Sequence, residues 1–299
     1  MSTAVEAQEG KPQEIELWSN RILIHPLSRR VAGLLAPTPV TPNAVSCMGV
    51  AASAAGAFCY VALPWPAAAA AGFACQLAWH VLDGADGELA RRTGRSSPSG
   101  EVVDGVCDYL AQVVLYSALA LILSRTFGPW AWALAAASGA ARAVQANSYE
   151  SRRRTYQFWG YGRGWLRQSL GGGAREAPRG WLGVLGRAYL AVSDRVTPPN
   201  PQLDAAMRRR LDQGGTVAAQ ARALYRGVQV RAIVAAAPLA SNLRTMAIGA
   251  SMLAGSPLYF FLFEIFGLTG VLLWSLRVQA YADAALVETL PGLEPATSS

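Results

Sequence analysis

The residues from Asp83 to Asp108 read DGADGELARRTGRSSPSGEVVDGVCD, and the interpretation of the whole chain begins from them. Half of the eight aspartates in the protein fall within this stretch, which has long apolar segments on either side: Asp83, Asp86, Asp104 and Asp108. Acidic residues concentrated beside apolar sequence indicate a chemical role, and metal binding is the role that clustered carboxylates serve best.

Helical spacing relates the aspartates to one another. Asp83 and Asp86 stand at positions i and i+3, so on a helix both side chains project from one face. Asp104 and Asp108 stand at positions i and i+4, with the same result. If the two helices meet, their carboxylates repel one another unless a cation joins them. Oxygen ligands favour hard cations, so the sequence predicts Mg²⁺ or Mn²⁺ rather than zinc.

Small and basic residues fill fixed positions between the aspartates, namely Gly87, Ala90, Arg91 and Gly100. Together with the aspartates, this pattern resembles the signature of the CDP-alcohol phosphotransferase family. These integral membrane enzymes transfer a phospho-alcohol from a CDP-activated donor to the hydroxyl group of an acceptor. The resemblance is weaker outside the signature, in residues 41–46 and in the membrane layout. A pair of helix caps or a calcium-binding loop is the structural alternative. A calcium-binding loop requires acidic residues two positions apart, whereas Asp83 and Asp86 are three positions apart.

The resemblance implies a centre with two divalent cations, Mg²⁺ or Mn²⁺. Asp83, Asp86 and Asp104 are the expected metal ligands. Asp108 is expected to lie near the second cation and to act as the general base for the acceptor hydroxyl. The expected contacts of the CDP-linked donor are Asn43, Ser46, Gly87, Ala90, Arg91, Ser97 and Gly100. For Asn43 and Ser46, simple helix capping is the alternative.

The acceptor site is less clearly encoded. Arg142, Arg231 and Arg244 lie within or at the edge of predicted membrane spans, where a charge is costly unless it faces a cavity or reaches the interface. They are predicted to line an acceptor pocket, with Arg244 the most interior. The alternative is that they reach the interface or pair with an acidic residue such as Glu264.

Composition places much of the chain in lipid. Only 15% of the residues are charged and 52% are hydrophobic, whereas soluble chains carry roughly 25% charged residues. The net charge is +7, and Lys11 is the only lysine. Because the arginines flank apolar segments, they favour anionic headgroups and a phosphate-bearing substrate over nucleic acid.

The sequence predicts an all-α integral membrane protein, a bundle of six transmembrane helices with an N-terminal interfacial amphipathic helix. Residues 1–13 are predicted to be disordered and 14–36 to form the interfacial segment, which Pro26 is expected to break in two. The membrane domain is assigned to 37–285 and a C-terminal tail to 286–299. The predicted spans cover about 43–65, 67–82, 100–123, 130–147, 232–253 and 257–276.

A cytoplasmic insertion is predicted at about 148–230, because this segment is rich in arginine, glycine and proline. Short amphipathic helices are expected within it at about 181–192 and 202–211. The loop between spans two and three is also rich in arginine, whereas the opposite turns contain only Arg125. By the positive-inside rule, the aspartates and the insertion face the cytoplasm in the cell (inner) membrane. The family resemblance also suggests a homodimer.

The predicted function is a metal-dependent transfer of phosphatidyl from CDP-diacylglycerol to a small polar acceptor, with release of CMP, in phospholipid biosynthesis. Glycerol phosphate, inositol, inositol phosphate and serine are candidate acceptors. In the alternative reaction the donor is a CDP-linked small alcohol, such as CDP-inositol, CDP-choline or CDP-ethanolamine, and the acceptor is a lipid or another alcohol. A cation transporter is a more distant alternative, because its acidic residues would be spread through the depth of several spans.

Overall fold

The computed structural model describes residues 12–95, 98–163, 195 and 198–292, and every element in these ranges is helical. The α-helices are α1 (His25–Leu35), α2 (Pro42–Ala62), α3 (Ala67–Thr93), α4 (Pro98–Phe127), α5 (Trp130–Tyr161), α6 (Pro201–Asp212), α7 (Gly215–Ala236), α8 (Ser241–Leu253), α9 (Leu258–Leu262) and α10 (Thr269–Thr289). A turn of π-helix, Phe263–Leu268, joins α9 to α10, and a 3-10 turn, Ala237–Leu239, separates α7 from α8.

Four helical stretches are long and apolar enough to cross a membrane: Pro42–Ala62, Val103–Phe127, Gly215–Leu253 and Leu258–Gly292. The prediction of an all-α membrane protein is therefore confirmed, while the count of six spans stays a prediction. The helices α3 and α5 also cover predicted spans, but polar residues interrupt their apolar sequence. Gln76, His80 and Asp83 do so in α3, and Arg142 and Gln145 do so in α5.

Pro26 does not separate the N-terminal segment into two helices, contrary to the prediction. A turn of π-helix, Asn20–Ile24, runs directly into α1, and the N–H of His25 bonds to the carbonyl of Asn20. Pro26 lies in the first turn of α1, where a missing N–H removes no hydrogen bond of the α-helix. The wider π-helical turn therefore carries the chain into α1 without a break.

The short helix α1 packs against α3, the helix of the first two aspartates. Ser28 Oγ donates a hydrogen bond to the carbonyl of Val81 at 2.8 Å. A Cβ atom at Gly84 would lie only 2.6 Å from this hydroxyl oxygen, so glycine is what permits the close approach. Buried apolar residues continue the contact between α1, α2 and α3: Ala32, Val45, Ala85 and Leu89.

Buried hydrogen bonds join α2, α3 and α4 near the aspartates. Gln76 Nε2 donates to the carbonyl of Ser53 at 3.2 Å, and Ser53 Oγ donates to the carbonyl of Ala111 at 3.3 Å. Both side chains are fully buried, so these hydrogen bonds form away from water, where they are strong. The three helices are thereby held together one to two turns from the aspartates.

Two helices extend into the segment predicted to be an insertion. The helix α5 continues from the predicted end of span four at Asn147 to Tyr161, and α7 begins at Gly215 instead of Ala232. The segment predicted as an insertion at 148–230 is consequently helical at both of its ends.

Arginine contacts between helices explain these extensions. Arg152 is buried and donates to the carbonyl and hydroxyl oxygens of Ser275 at 3.3 and 3.1 Å. Arg226 of α7 donates to the carbonyl of Gly160 at 2.7 Å, which satisfies the C-terminal end of α5. Arg152 and Arg226, which lie within the predicted insertion, therefore pack helices together.

The rest of the predicted insertion is described in part. The expected amphipathic helix near 202–211 is α6, whose first turn is capped by Asn200 and whose buried face includes Leu203 and Met207. The other expected amphipathic helix, at 181–192, lies outside the described residues. So do residues 1–11 and 293–299, which contain most of the predicted disordered N-terminus and half of the predicted tail.

Candidate active site

The signature stretch forms the end of α3 and the beginning of α4. Gly94 ends α3 in the left-handed conformation at φ 65°, and the N–H of Arg95 returns to the carbonyl of Ala90 at 2.9 Å. This arrangement is a common helix stop, in which glycine avoids a steric penalty. Because α3 stops there and α4 begins at Pro98, the two aspartate-bearing helix ends lie next to each other.

The aspartates come together as the helical spacing predicts. One carboxylate oxygen from each of Asp83, Asp104 and Asp108 lies within 4.8 Å of the others, and all three residues are half-buried. The carboxylates of Asp83 and Asp108 are also within hydrogen-bonding reach of each other, as are those of Asp86 and Asp104. Anions at such distances repel strongly unless a proton or a cation lies between them. The donor set is made of oxygen atoms alone, which fits a hard divalent cation.

Asp86 is the most buried of the aspartates and is held from two sides. Ser46 Oγ of α2 donates to its Oδ2 atom at 2.6 Å, and the N–H of Gly87 donates to its Oδ1 atom. Ser46 therefore does not cap α2. The capping residue is Thr41, which accepts from the N–H of Ala44 at 3.2 Å. The hydroxyl group of Ser46 instead fixes the orientation of an expected metal ligand.

The expected donor contacts that the structure describes lie on three helices, α2, α3 and α4. Arg91 is exposed, and its guanidinium lies above Gly87, where a Cβ atom would be 3.4 Å from Nη1. Ala90 is half-buried on the same helix, and Gly100 lies in the first turn of α4. Asn43 is exposed at the start of α2. Ser97 lies outside the described residues.

Arg244, the most interior of the predicted acceptor residues, is bound within the protein. It is 1% exposed, and its Nε atom pairs with Glu264 Oε1 at 2.8 Å. Its Nη2 atom donates to Gln145 Oε1 at 2.7 Å, and Nη1 donates to the carbonyls of Leu239 and Ala240. The ion pair with Glu264, the alternative considered for this residue, is what the structure shows.

The other oxygen of Glu264 accepts hydrogen bonds from the hydroxyl groups of Tyr116 and Ser138. Glu264 lies in the π-helical turn, and Gln145 Nε2 donates to its backbone carbonyl at 3.0 Å. This buried polar network joins α4, α5, α8 and the turn between α9 and α10. Within it, one carboxylate is matched by one guanidinium.

The remaining two arginines differ in burial, and the charge of Arg142 acts on Arg244. Arg142 of α5 is half-buried, with its guanidinium carbon 6.0 Å from the centre of the Tyr116 ring, and its charge acts on Asp108. Arg231 is exposed on α7, so its side chain is not buried beside Arg244. His80, one turn before the first aspartate, bonds through Nε2 to Thr245 Oγ1 at 2.7 Å and thus joins α3 to α8.

Two groups of residues near the site are not evident from the sequence pattern. The first is the set of hydroxyl groups that bind carboxylates, of which Ser46 was expected only as a donor contact or a cap. No local periodicity links Ser46 to Asp86, which is 40 residues away. The second is the partner set of Glu264. An isolated acidic residue in an apolar segment signals a buried partner, but the signal does not name Tyr116 or Ser138.

Comparison with known proteins gives one result for the region that contains the site. Residues 39–160 match the family model described as CDP-alcohol phosphatidyltransferase, which spans α2 to α5 and includes the four aspartates of the signature. No curated protein shows significant similarity to the chain. The match confirms the resemblance drawn from the signature. Over residues 39–160, the chain is therefore similar to the CDP-alcohol phosphatidyltransferase family, whose members are transferases of substituted phosphate groups.

Proposed function

We propose that the protein transfers a phosphatidyl group from CDP-diacylglycerol to the hydroxyl group of a small polar acceptor and releases CMP. The observation that carries this proposal is the convergence of α3 and α4, which brings oxygens of Asp83, Asp104 and Asp108 within 4.8 Å of one another. Transfer from a CDP-alcohol in lipid synthesis follows from the family, whereas the particular donor and acceptor are part of the proposal.

The residues of the site fit two divalent cations, Mg²⁺ or Mn²⁺. Asp83, Asp86 and Asp104 would hold them, with Asp108 beside the second. Bound there, the cations would supply the positive charge that neutralises the donor diphosphate and the departing CMP. The fit rests on the oxygen-only donor set and on the two facing pairs of carboxylates, whose repulsion a cation relieves.

The side chains of the chain itself have separate tasks in this proposal. Asp108 takes the proton of the acceptor hydroxyl, whose oxygen then attacks the β-phosphorus of the donor while the bond to CMP breaks. Ser46 and the N–H of Gly87 keep the Asp86 carboxylate in one orientation. Arg91 offers its planar fork of N–H groups to a donor phosphate.

A lipid-linked donor is supported by the surface of α4 next to the aspartates. Large apolar side chains on this helix point outward immediately beside and beyond the site: Val106, Tyr109, Leu110 and Val113. In a membrane, this surface contacts acyl chains. A donor with two acyl chains would therefore reach the aspartates from the side, while a soluble acceptor enters from the aqueous end.

For the acceptor, Arg142 is the residue we propose among the three predicted arginines. Arg244 is committed to Glu264, and Arg231 is exposed on α7. Arg142 is half-buried, and its charge acts on Asp108, so an acceptor held by its guanidinium would have its hydroxyl group near the proposed base. A cation in this position favours acceptors that carry a phosphate group.

The number of spans, the orientation of the site and the oligomeric state are also part of the proposal. We expect six spans, with the aspartates at the cytoplasmic side of the cell membrane, because the loop after α3 is rich in arginine. We also expect a homodimer.

Labelling of single cysteines placed in residues 201–212 tests the orientation, and labelling from outside the cell would contradict it. Cross-linking in native membranes tests the dimer, and recovery of monomer alone would contradict it.

The test of function is CMP release by the purified protein in detergent, with and without Mg²⁺ or Mn²⁺. CDP-diacylglycerol is offered with glycerol phosphate, inositol, inositol phosphate or serine in separate reactions. A second set offers CDP-inositol, CDP-choline or CDP-ethanolamine with diacylglycerol or with inositol phosphate. Metal-dependent CMP release with CDP-diacylglycerol is the expected result. Release only in the second set would overturn the choice of donor.

A further inference from the structure

Glu88 lies between the aspartates and the basic end of α3, and it binds two arginines at once. Its Oε2 atom accepts a hydrogen bond from Arg91 Nη2 at 3.0 Å, and its Oε1 atom accepts one from Arg92 Nε at 2.9 Å. The two arginines stand at i+3 and i+4 from the glutamate, the spacing at which helix side chains meet. None of the roles described so far uses this carboxylate.

The contact with Glu88 determines where the Arg91 guanidinium lies. Glu88 takes the Nη2 atom, while Nη1 lies above Gly87, 3.4 Å from where a Cβ atom would be. The charge of Arg91 also acts on Asp86. The guanidinium is therefore held on the face of α3 that carries the second aspartate, with Nη1 and Nε not used by Glu88. An exposed arginine without such a partner samples many rotamers, and ordering it on binding is unfavourable.

Arg92 fixes Glu88 from the other side. Its Nη1 atom lies 3.2 Å from where a Cβ atom of Gly33 would be, so its side chain reaches across to α1. Glu88 thus joins the docked helix α1, through Arg92, to Arg91 above Gly87. A carboxylate held between two guanidinium groups is less free to move than one in a single exposed pair.

We propose that Glu88 is a positioning residue, which holds the Arg91 guanidinium over Gly87 so that its free N–H groups meet a phosphate of the CDP-linked donor. The inference rests on the proposed function, which assigns Arg91 to the donor. Without Glu88, donor binding would have to order the long side chain of Arg91, which should weaken donor affinity about 3- to 10-fold.

The chain contains a matched control for this arrangement. On α5, Glu150 pairs with Arg153 at 2.8 Å and with Arg154 at 2.6 Å, again at i+3 and i+4. Glu150→Gln therefore removes the same kind of helix-surface pair, but at a position that has no assigned role in donor binding.

The experiment measures the affinity of the full-length protein in detergent for CDP, used as the probe, at saturating Mg²⁺. The variants are Glu88→Gln, Arg91→Gln, the double variant and Glu150→Gln. We expect Arg91→Gln to weaken CDP binding about 10-fold or more and Glu88→Gln about 3- to 10-fold. In the double variant, loss of Glu88 should add nothing, because the arginine that it positions is gone. Glu150→Gln should bind as the wild type does.

Turnover separates positioning from a general loss of structure. Glu88→Gln should raise the donor KM by the same factor while kcat stays within about 2-fold. If Glu88→Gln does not fold, Glu88→Asp replaces it, since the shorter side chain no longer reaches Arg91 Nη2, and the same loss is expected.

Two failures are distinguishable. If Arg91→Gln weakens CDP binding but Glu88→Gln binds as tightly as the wild type or more tightly, the positioning role is overturned and the proposed function stands. If the wild type does not bind CDP, or if Arg91→Gln has no effect, the assignment of Arg91 to the donor fails, and the role of Glu88 fails with it.

Discussion

The buried carboxylate of Glu264 and the carboxylates of the aspartate cluster differ in what surrounds them. Glu264 is 0% exposed and is matched by the guanidinium of Arg244 and by the hydroxyl groups of Tyr116 and Ser138. The aspartates of α3 and α4 face one another in pairs instead.

The comparison separates a structural acidic residue from a cluster for which we propose a metal-binding role. Removing a carboxylate from water is costly unless its charge is matched, and the protein matches the charge of Glu264 with its own side chains. The aspartates place several negative charges in a small volume, at distances where a bound cation would relieve their repulsion. Charge balance is therefore a guide to function that residue identity alone does not provide.

Asp108→Asn is the change with the largest expected effect on the aspartate side of the comparison. The variant keeps the shape of the side chain but no longer accepts a proton, so turnover should fall by about 10²-fold or more. CDP binding should survive, because Asp83, Asp86 and Asp104 remain. Parallel measurements of CMP release and CDP affinity at saturating metal test this. Asp83→Asn serves as the contrast, since it should impair both. Turnover above about a tenth of the wild-type value in Asp108→Asn would exclude it as the base.

Glu264→Gln tests the other side of the comparison and should act on stability. It leaves the guanidinium of Arg244 buried without a counter-charge, a change that typically costs about 3–5 kcal/mol. Thermal unfolding in detergent measures the loss. The control is Asp104→Asn without divalent cations, which removes one of several repelling charges and should leave the melting temperature unchanged or raised. Equal destabilisation of both variants would show that the two groups do not differ as described.

Divalent cations should stabilise the wild-type protein by a smaller amount. At about 100 times its dissociation constant, a ligand that binds only the folded state adds about 2.7 kcal/mol. Adding Mg²⁺ or Mn²⁺ to protein treated with a chelator should therefore raise the melting temperature. The increment should vanish in an Asp83→Asn, Asp104→Asn double variant and persist in Glu264→Gln. A similar increment in the double variant would place the ion elsewhere.

The smallest expected effect concerns Glu14, an exposed carboxylate that accepts hydrogen bonds from the hydroxyl groups of Tyr156 and Tyr161. Burial raises its pKa, but hydrogen bonds from Tyr161 and Tyr156 outweigh this, so its pKa lies below the usual value. A lowered folded-state pKa stabilises the protein above the unfolded value of about 4.3, and this contribution is lost as the pH falls through the folded pKa. Glu14→Gln should lower the melting temperature by about 1–3 °C at pH 7. A difference of the same size at pH 3 would contradict this.

Local spacing is the part of this molecule that sequence alone predicts well. The i, i+3 and i, i+4 positions of the aspartates place each pair on one helix face, and the short connection from Gly94 to Pro98 brings the faces together. By contrast, the partner of Asp86 on α2 and the hydroxyl partners of Glu264 depend on how distant helices pack. Gln145, for example, reaches Arg244 across 99 residues of sequence.

The differences between the predicted and observed ends of α5 and α7 have a related cause. Charged residues beyond Asn147 suggest exposure to water, because a charge in isolation favours solvent. Arg152 is nevertheless buried, since the carbonyl and hydroxyl oxygens of Ser275 accept its hydrogen bonds. Such acceptors are available only after α10 packs beside α5, and no pattern within α5 reveals them.

The ion pair between Arg244 and Glu264 also has a consequence for how the chain enters a membrane. The two residues are 20 positions apart, on a hairpin in which α8 and α9 are joined by residues 254–257. Ser251 tightens this hairpin by donating to the carbonyl of Ser256 and accepting from the N–H of Phe260. Each charge alone would oppose insertion of its helix by about 2.5–3.5 kcal/mol. We therefore expect the two helices to enter lipid most favourably together, with the arginine and the glutamate already paired.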